Sequence, residues 1–137
     1  MVKKTVENID KNRTTNHSVF NILVEITIFT KDKAALIDKD INEIIYGLFT
    51  RISKEHGIQI VKWHYESCSI KMTLSISPST NLTKYINATK ASSSRLLKKE
   101  VQGLSLALPD GKFWGRGFHA FSLDVKNEKS KIKSELI

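Results

Sequence analysis

The chain has 137 residues, of which 40% are hydrophobic, so it is long enough for one domain with its own core. Its 22 Lys and Arg against 14 Asp and Glu give a formal net charge of +8. This charge favours a polyanionic partner, with nucleic acid the first candidate and an anionic membrane the second. The alternative is that the lysines only form a solvated surface. No apolar run is long enough to span a membrane, no signal-peptide pattern is present and the single cysteine cannot form an intrachain disulfide, so the sequence predicts a cytosolic protein.

The N-terminal part of the chain changes character at His17. Residues 1–16 show no hydrophobic period and are expected to form a flexible basic arm, which either contacts nucleic acid or has no role. From His17 to Thr30 apolar and polar residues alternate, which predicts the first strand. The turn-like run Thr30-Lys31-Asp32-Lys33 is expected to end it.

A first helix follows, because apolar residues recur at helical spacing from Ile41 to Ile52. Asp40 with Glu43 three residues later is typical of a capping box at its start. Gly57 is typical of a residue that ends a helix.

Two strands joined by a tight connection come next and predict an antiparallel hairpin. The first runs from Ile58 to about Glu66, with Val61, Trp63 and Tyr65 on one face. The second, Cys68–Ser77, alternates over ten residues and is expected to bury every second side chain, including Cys68, against the helices.

The second helix is predicted from about Asn81 to Val101. Its middle, residues 88–94, is small and polar, so the helix either packs closely there or uses that surface. Arg95, Lys98 and Lys99 near its end either bind an anion or complement the helix dipole.

The remaining sequence completes the order strand, helix, strand, strand, helix, strand. Residues 102–112 are expected to form a loop with alternating leucines, residues 113–125 the last strand, and residues 126–137 a short basic helix or tail. This order predicts an α+β domain over residues 17–125: a ferredoxin-like split βαβ antiparallel sheet with both helices on one face.

Four segments, taken in order, resemble one protein family. They are His17-Ser18-Val19-Phe20 with the strand that follows it, Glu55-His56-Gly57-Ile58, Ser77-Pro78 with residues 90–100 of the second helix, and Lys112-Phe113-Trp114-Gly115-Arg116-Gly117-Phe118. Together they resemble the HUH single-tyrosine transposases of insertion sequences, the IS200-like transposases.

The resemblance also implies where catalysis would lie. In that family the third strand carries two histidines, one residue apart, which hold a divalent metal that polarises a DNA phosphate; the aligned positions here are Ser69 and Lys71. Serine is a poor lone metal ligand and a lysine ammonium repels a cation. The family's nucleophilic tyrosine aligns near Glu135, where this chain has no tyrosine. The expectation is a protein with no catalytic residues and no metal cofactor.

The binding functions of the family carry over more readily. The resemblance implies recognition of hairpin-forming single-stranded DNA, or RNA, by a homodimer without a membrane. The contacts carried over are His17, Lys71, Lys90, Arg95, Lys98, Lys99, Trp114 and Arg116. Lys71 either holds a phosphate in place of the metal or pairs with a carboxylate such as Glu25 or Glu66. Trp114 either stacks on an unpaired base or is buried.

Two alternatives remain open from the sequence. One is an active transposase with substitute metal ligands, for which the alternating His64, Glu66 and Cys68 are candidates; a solvated His64–Glu66 pair is the plainer interpretation. Core or boundary packing is likewise the expected role of the three tyrosines, Tyr46, Tyr65 and Tyr85. The other alternative is a regulatory subunit that pairs with an active transposase and silences it.

Overall fold

The computed structural model describes residues 21–123. The elements follow the predicted order, with a 3₁₀ turn after the first strand and another before the last. They are β1 (Ile22–Phe29), α1 (Lys39–Glu55), β2 (Gln59–Glu66), β3 (Ser69–Ile76), α2 (Leu82–Glu100), α3 (Leu104–Ala107) and β4 (His119–Leu123). The predictions for the arm 1–16, for His17 and for the tail 126–137 with Glu135 lie outside the described residues.

The four strands form one antiparallel sheet in the order β2-β3-β1-β4. The central strands β1 and β3 run side by side over their full length, from the Ile22–Ile76 pair to the Phe29–Ser69 pair. α1 and α2 pack against each other and share one buried cluster with one face of the sheet. The predicted split βαβ fold is confirmed.

The core lies between the helices and the inward face of β1 and β3. Alternate residues of both strands are fully buried there: Ile26, Ile28, Ile70, Met72 and Leu74. The helices add Ile45, Phe49, Tyr85, Ile86 and Leu97, also fully buried. Burying one such side chain contributes about 1.5–3 kcal/mol as an upper estimate, so the predicted period-two and helical patterns account for the layering.

The residues between these core positions form the other side of the sheet, which we call the outer face. The register places Glu25 and Thr27 of β1 beside Thr73 and Lys71 of β3, with His64 of β2 next to Lys71 and His119 of β4 next to Thr27. Lys71, His64 and His119 are exposed. Thr73 and Ser75, by contrast, are only 7% and 1% exposed, because short side chains on a central strand are flanked by longer neighbours on both sides.

Helix α1 starts two residues earlier than its predicted capping box. Its N-cap is Asp38, whose carboxylate accepts a hydrogen bond from the Ile41 backbone N–H at 2.9 Å. The prediction of Asp40 as the cap was wrong, since Asp40 already lies inside the first turn. At the other end, His56 caps the helix and Gly57 takes the left-handed backbone (φ 68°) that the glycine signal indicated.

Strand β2 contains an irregularity that the sequence did not reveal. Ile60 pairs with Leu74 and Lys62 with Thr73, so Val61 is an extra residue in the ladder. A bulge of this kind lets Ile60 and Trp63 both face the helices, although they are three residues apart. The predicted common period of Val61, Trp63 and Tyr65 is therefore interrupted at Val61.

Three local predictions, one in the hairpin turn and two in the segment before β4, were wrong. The alternating leucines form the short helix α3 and its C-cap: Leu104 in the helix and Leu108 at the C-cap are buried, while Leu106 is 92% exposed. Cys68 precedes β3 in the hairpin turn and is only half-buried. The last strand begins at His119, because the glycine-containing segment before it leaves the sheet after a single bridge between Thr30 and Trp114.

Candidate nucleic-acid interface

Strand β3 carries Ser69 and Lys71, which the sequence resemblance placed at the family's metal-ligand positions. Ser69 and Lys71 both lie on the outer face, opposite Phe29 and Thr27 of β1. The Lys71 Nζ lies 3.8 Å from the Glu25 carboxylate, and the lysine side chain is 54% exposed. The position thus holds a solvated cation with one distant carboxylate partner, and a protonated lysine has no acceptor with which to ligate a metal.

Substitute metal ligands are not assembled in the described residues. His64 Nε2 and the Glu66 carboxylate are 3.1 Å apart, and both side chains are about two-thirds exposed (64% and 66%). Cys68 in the turn does not join them, and between residues 21 and 123 no group of three His, Cys, Asp or Glu side chains is placed to hold a metal. The expectation of a solvated His64–Glu66 pair matches this geometry.

The tyrosines of the described chain lie away from the outer face. Tyr65 faces Ile70 on the helix side of the sheet, and the Tyr46 ring packs edge-on against Trp63. Tyr85 is fully buried, and its hydroxyl donates to the Phe49 carbonyl at 3.3 Å. Burial raises the pKa of the Tyr85 hydroxyl well above its usual range, and a hydrogen bond with Ser53 opposes this only in part. Such a phenol stays protonated and is a poor nucleophile.

The small polar middle of α2 is a packing surface. Thr89 and Ser93 are fully buried, and each hydroxyl donates back to carbonyls one turn earlier, Ser93 to Thr89 at 2.7 Å. The indole Nε1 of Trp114 donates to the Ser93 hydroxyl at 2.9 Å. Of the two roles considered for these small residues, the structure therefore supports close packing.

Trp114 itself is only 7% exposed, with its ring packed edge-on against Phe113 at 4.7 Å between centroids. A ring in this position is not available for stacking on a base. The placement of Trp114 therefore does not support the expectation that it contacts nucleic acid. It supports the alternative that the ring is buried.

The segment after Trp114 is fastened to the end of β1. Gly115 N–H donates to the Phe29 carbonyl at 2.8 Å. A Cβ at Gly115 would lie 3.3 Å from the Thr30 carbonyl oxygen, so glycine allows this close approach. Lys90 of α2 adds an anchor by donating from Nζ to the Gly117 carbonyl at 2.8 Å. Arg116 lies between the fixed glycines and is exposed.

The cations carried over from the resemblance fall into distinct environments. Lys90 is half-buried, and desolvation lowers the pKa of its ammonium. Arg95, Lys98, Lys99 and Arg116 are exposed. Lys71 lies on the outer face of the sheet, whereas the α2 cations belong to the helical layer on the opposite side. The structure therefore brings Arg95 and Lys99 together on one helix but does not join them with Lys71.

Sequence reasoning missed one cation of this layer. Arg51 of α1 lines a groove with Arg95 and Lys99 of α2. The sequence indicates only that Arg51 lies three residues after Leu48, beside the apolar residues that recur from Ile41 to Ile52. The proximity of the two helices at that level depends on the packing.

The described fold, a four-stranded antiparallel sheet with two long helices on one face, is compatible with the family that the sequence resembles. A family model described as "Transposase IS200 like" matches residues 18–134 of the sequence. Because the match covers most of the chain, the protein belongs to the IS200-like transposase family.

Solved structures show the same fold at low sequence identity. A candidate transposase from Deinococcus radiodurans superposes with a TM-score of 0.70 and 14% identity, over 80% of this chain and 84% of that one. A REP-associated tyrosine transposase bound to a REP hairpin superposes with a TM-score of 0.61 and 7% identity, over 84% of this chain and 64% of that one. A search of curated proteins finds no match. None of the helices in the described residues is long and apolar enough to cross a membrane.

Proposed function

We propose that this protein is a transposase-like nucleic-acid-binding protein that recognises hairpin-forming single-stranded DNA, or RNA, without cutting it. The observation that carries the proposal is Lys71. Its ammonium lies on the outer face, 3.8 Å from the Glu25 carboxylate, at a position that the resemblance implies for a metal-binding histidine. A protonated lysine has three donors and no acceptor, so it binds a phosphate oxygen and cannot ligate a metal.

The proposed loss of cleavage follows from Ser69 and Lys71, which stand where the resemblance implies two metal ligands. Strand cleavage in this family needs a polarised phosphate and a nucleophile. Between residues 21 and 123 the titratable side chains assemble no metal site, and the one fully buried tyrosine, Tyr85, is locked in the core.

Retained binding is supported by the distribution of charge. Seven Lys and Arg but only two acidic residues lie between positions 84 and 116. Among these cations Arg95, Lys98, Lys99 and Arg116 are exposed and accessible to phosphates. The structural relative that is bound to a REP hairpin makes a hairpin the natural first ligand to test. We further propose a homodimer that acts in the cytoplasm.

The test combines cleavage and binding on one substrate. The full chain is incubated with 5′- and 3′-labelled DNA hairpins carrying single-stranded flanks, with Mg²⁺ or Mn²⁺, and the products are resolved on denaturing gels. We expect a mobility shift on native gels with no shortened strand and no covalent adduct. A covalent protein–DNA adduct would overturn the proposed inactivity, and a chain that binds neither DNA nor RNA hairpins would overturn the binding function.

A further inference from the structure

Helices α1 and α2 leave a groove between them on the helical layer, opposite the outer face of the sheet. Its volume is about 530 Å³, within the range of about 300–1,000 Å³ typical of ligand pockets. It is lined by Leu48, Arg51, Ser92, Arg95, Leu96 and Lys99. We call it the helix groove.

The lining of the helix groove has one sign of charge. It contains two guanidinium groups and one ammonium group but no carboxylate. The two ion pairs formed among residues 21–123 are Lys71–Glu25 and His64–Glu66, so neither of them neutralises a groove cation. Three cations converge on an apolar floor with their counter-charge left to solvent.

The helix dipole accounts for Lys99 but not for Arg51 or Arg95. Cations complement the last turn of a helix, where α1 carries Lys54 and α2 carries Lys98 and Lys99. Arg51 and Arg95 lie further from those ends. Arg95 and Lys99 are also four residues apart on one helix, a spacing at which like charges repel. An anionic ligand between the helices would offset this repulsion by attracting both cations.

We propose that the helix groove binds the phosphodiester backbone of the nucleic acid, with Arg51 as a contact residue that the family resemblance does not supply. The inference rests on the proposed binding function and deepens it. Arg51 and Arg95 approach from different helices, and each guanidinium can present two parallel N–H donors to one phosphate. Lys99 adds a point charge one turn beyond Arg95. Leu48 and Leu96 exclude water beneath the phosphates, which strengthens these contacts.

The first test compares Arg51→Gln with a matched control, Lys54→Gln. Lys54 is exposed on the same helix and does not line the groove. Hairpin binding of the full chain is measured by fluorescence anisotropy between about 50 and 200 mM salt. We expect Arg51→Gln to weaken binding several-fold and to reduce the log–log salt slope by roughly 0.7–0.9, the value of one phosphate contact. Lys54→Gln should stay close to wild type. Arg51→Lys should retain the slope and recover only part of the affinity.

A second measurement locates the ligand. Lysine acetylation followed by mass spectrometry should show Lys99 protected by the hairpin and Lys54 unprotected. Polyglutamate serves as a probe for an acidic polypeptide as the alternative occupant. If polyglutamate protects Lys99 as well as the hairpin does, the groove is a general anion surface and the inference is wrong.

The outcomes separate this inference from the proposed function. If wild type binds the hairpin but Arg51→Gln matches Lys54→Gln in affinity and slope, the groove inference fails and the binding function stands. If wild type binds no hairpin at all, the proposed function fails and the groove inference fails with it. Thermal melting of each variant shows whether a loss of binding reflects unfolding.

Discussion

At the scale of single residues, Lys71 decides between a metal site and an anion site. It is more than half exposed, and its carboxylate partner Glu25 lies near the outer limit of an ion pair at 3.8 Å. Exposed pairs of this kind contribute about 0–1 kcal/mol. Lys71 therefore pairs with Glu25, which is one of the alternatives considered from the sequence. The pair is weak enough for a phosphate to displace the Glu25 carboxylate.

The first prediction concerns Lys71→Ala. We expect the free energy of unfolding to fall by less than about 1 kcal/mol, because only a weak ion pair is lost. Hairpin affinity should fall several-fold, with a smaller salt slope, because a phosphate contact is removed. Denaturant melts and anisotropy titrations measure the two quantities. Lys62→Ala is the control, since Lys62 is an exposed residue of the neighbouring strand β2. Lost stability with unchanged affinity would contradict the phosphate role.

Lys90 is the second informative residue, because its charge is partly desolvated. Burial lowers the pKa of this ammonium, so the folded protein holds the proton less tightly than the unfolded chain does. Between the folded pKa and the usual lysine value, the unfolded state binds more protons, and stability therefore rises with pH in that window. Its one hydrogen bond, to the Gly117 carbonyl, holds the segment that carries Arg116.

The second prediction follows from this increase of stability with pH. The stability of wild type relative to Lys90→Met should increase as pH rises from below the lowered folded pKa towards the usual lysine range. Chemical denaturation of both proteins across the alkaline range measures this difference. The same substitution removes the anchor of Gly117, so protection of residues 115–118 from hydrogen exchange should decrease. A stability difference that is independent of pH would show that the ammonium is not desolvated in solution.

At the scale of elements, one buried side-chain hydrogen bond joins α2 to the segment before β4, in addition to the contact between Lys90 and the Gly117 carbonyl. The Trp114 indole N–H donates to Ser93, which lies on the small polar stretch of α2. Both side chains are buried, so removing one partner leaves the other unsatisfied at a cost of about 1–3 kcal/mol.

The third prediction is therefore that Ser93→Ala destabilises the protein by about 1–3 kcal/mol, because the indole N–H loses its acceptor. In a Trp114→Phe background, where the donor is absent, the same change should cost less; this double-mutant cycle isolates the pair. Ser94→Ala, at a half-buried position beside it, is the control. Hairpin affinity per folded molecule should stay unchanged in all variants. Equal costs in both backgrounds would show that the hydrogen bond contributes nothing.

The same elements show what the sequence can predict. Periodicity identified β1, β3, α1 and α2, because burial of one face imposes it over many residues. Periodicity did not predict local structure that depends on a single contact or on a short segment. Asp38 and Asp40 are both able to cap α1, and only the path of the chain before the helix selects Asp38. The leucines from Leu104 to Leu108 fit a strand or a helical turn, and the short length leaves the period ambiguous.

The candidate site was predictable to a smaller extent. The outer-face position of Lys71 follows from strand alternation, since β3 buries Ile70 and Met72 on the other side. The burial of Trp114 does not follow, because it depends on Ser93 of a distant helix. The grouping of Arg51 with Arg95 depends on the packing of two helices that are separated by the β2–β3 hairpin.

At the scale of the whole molecule, the two edges of the sheet differ. β2 carries a bulge at Val61 and the charged residues Lys62 and Glu66, features that discourage a further strand from pairing. β4 has the sequence His-Ala-Phe-Ser-Leu and pairs in register with β1 without an irregularity. An uncharged, regular edge is a template for pairing with another strand. If two subunits join their sheets, β4 is therefore the edge that fits.

The last prediction is a homodimer that forms through β4. Light scattering at tens of micromolar should give about twice the chain mass of 15.6 kDa, because pairing satisfies edge N–H and C=O groups of β4 that have no partner strand among residues 21–123. Hydrogen exchange identifies the edge: on raising the protein concentration, protection should increase in residues 119–123 but not in residues 59–66. The β2 segment is the internal control, since it is an edge strand of the same sheet in the same sample. A monomer mass would refute the dimer. A dimer whose added protection lies in β2 would refute the argument from the bulge and the charges while leaving the oligomeric state intact.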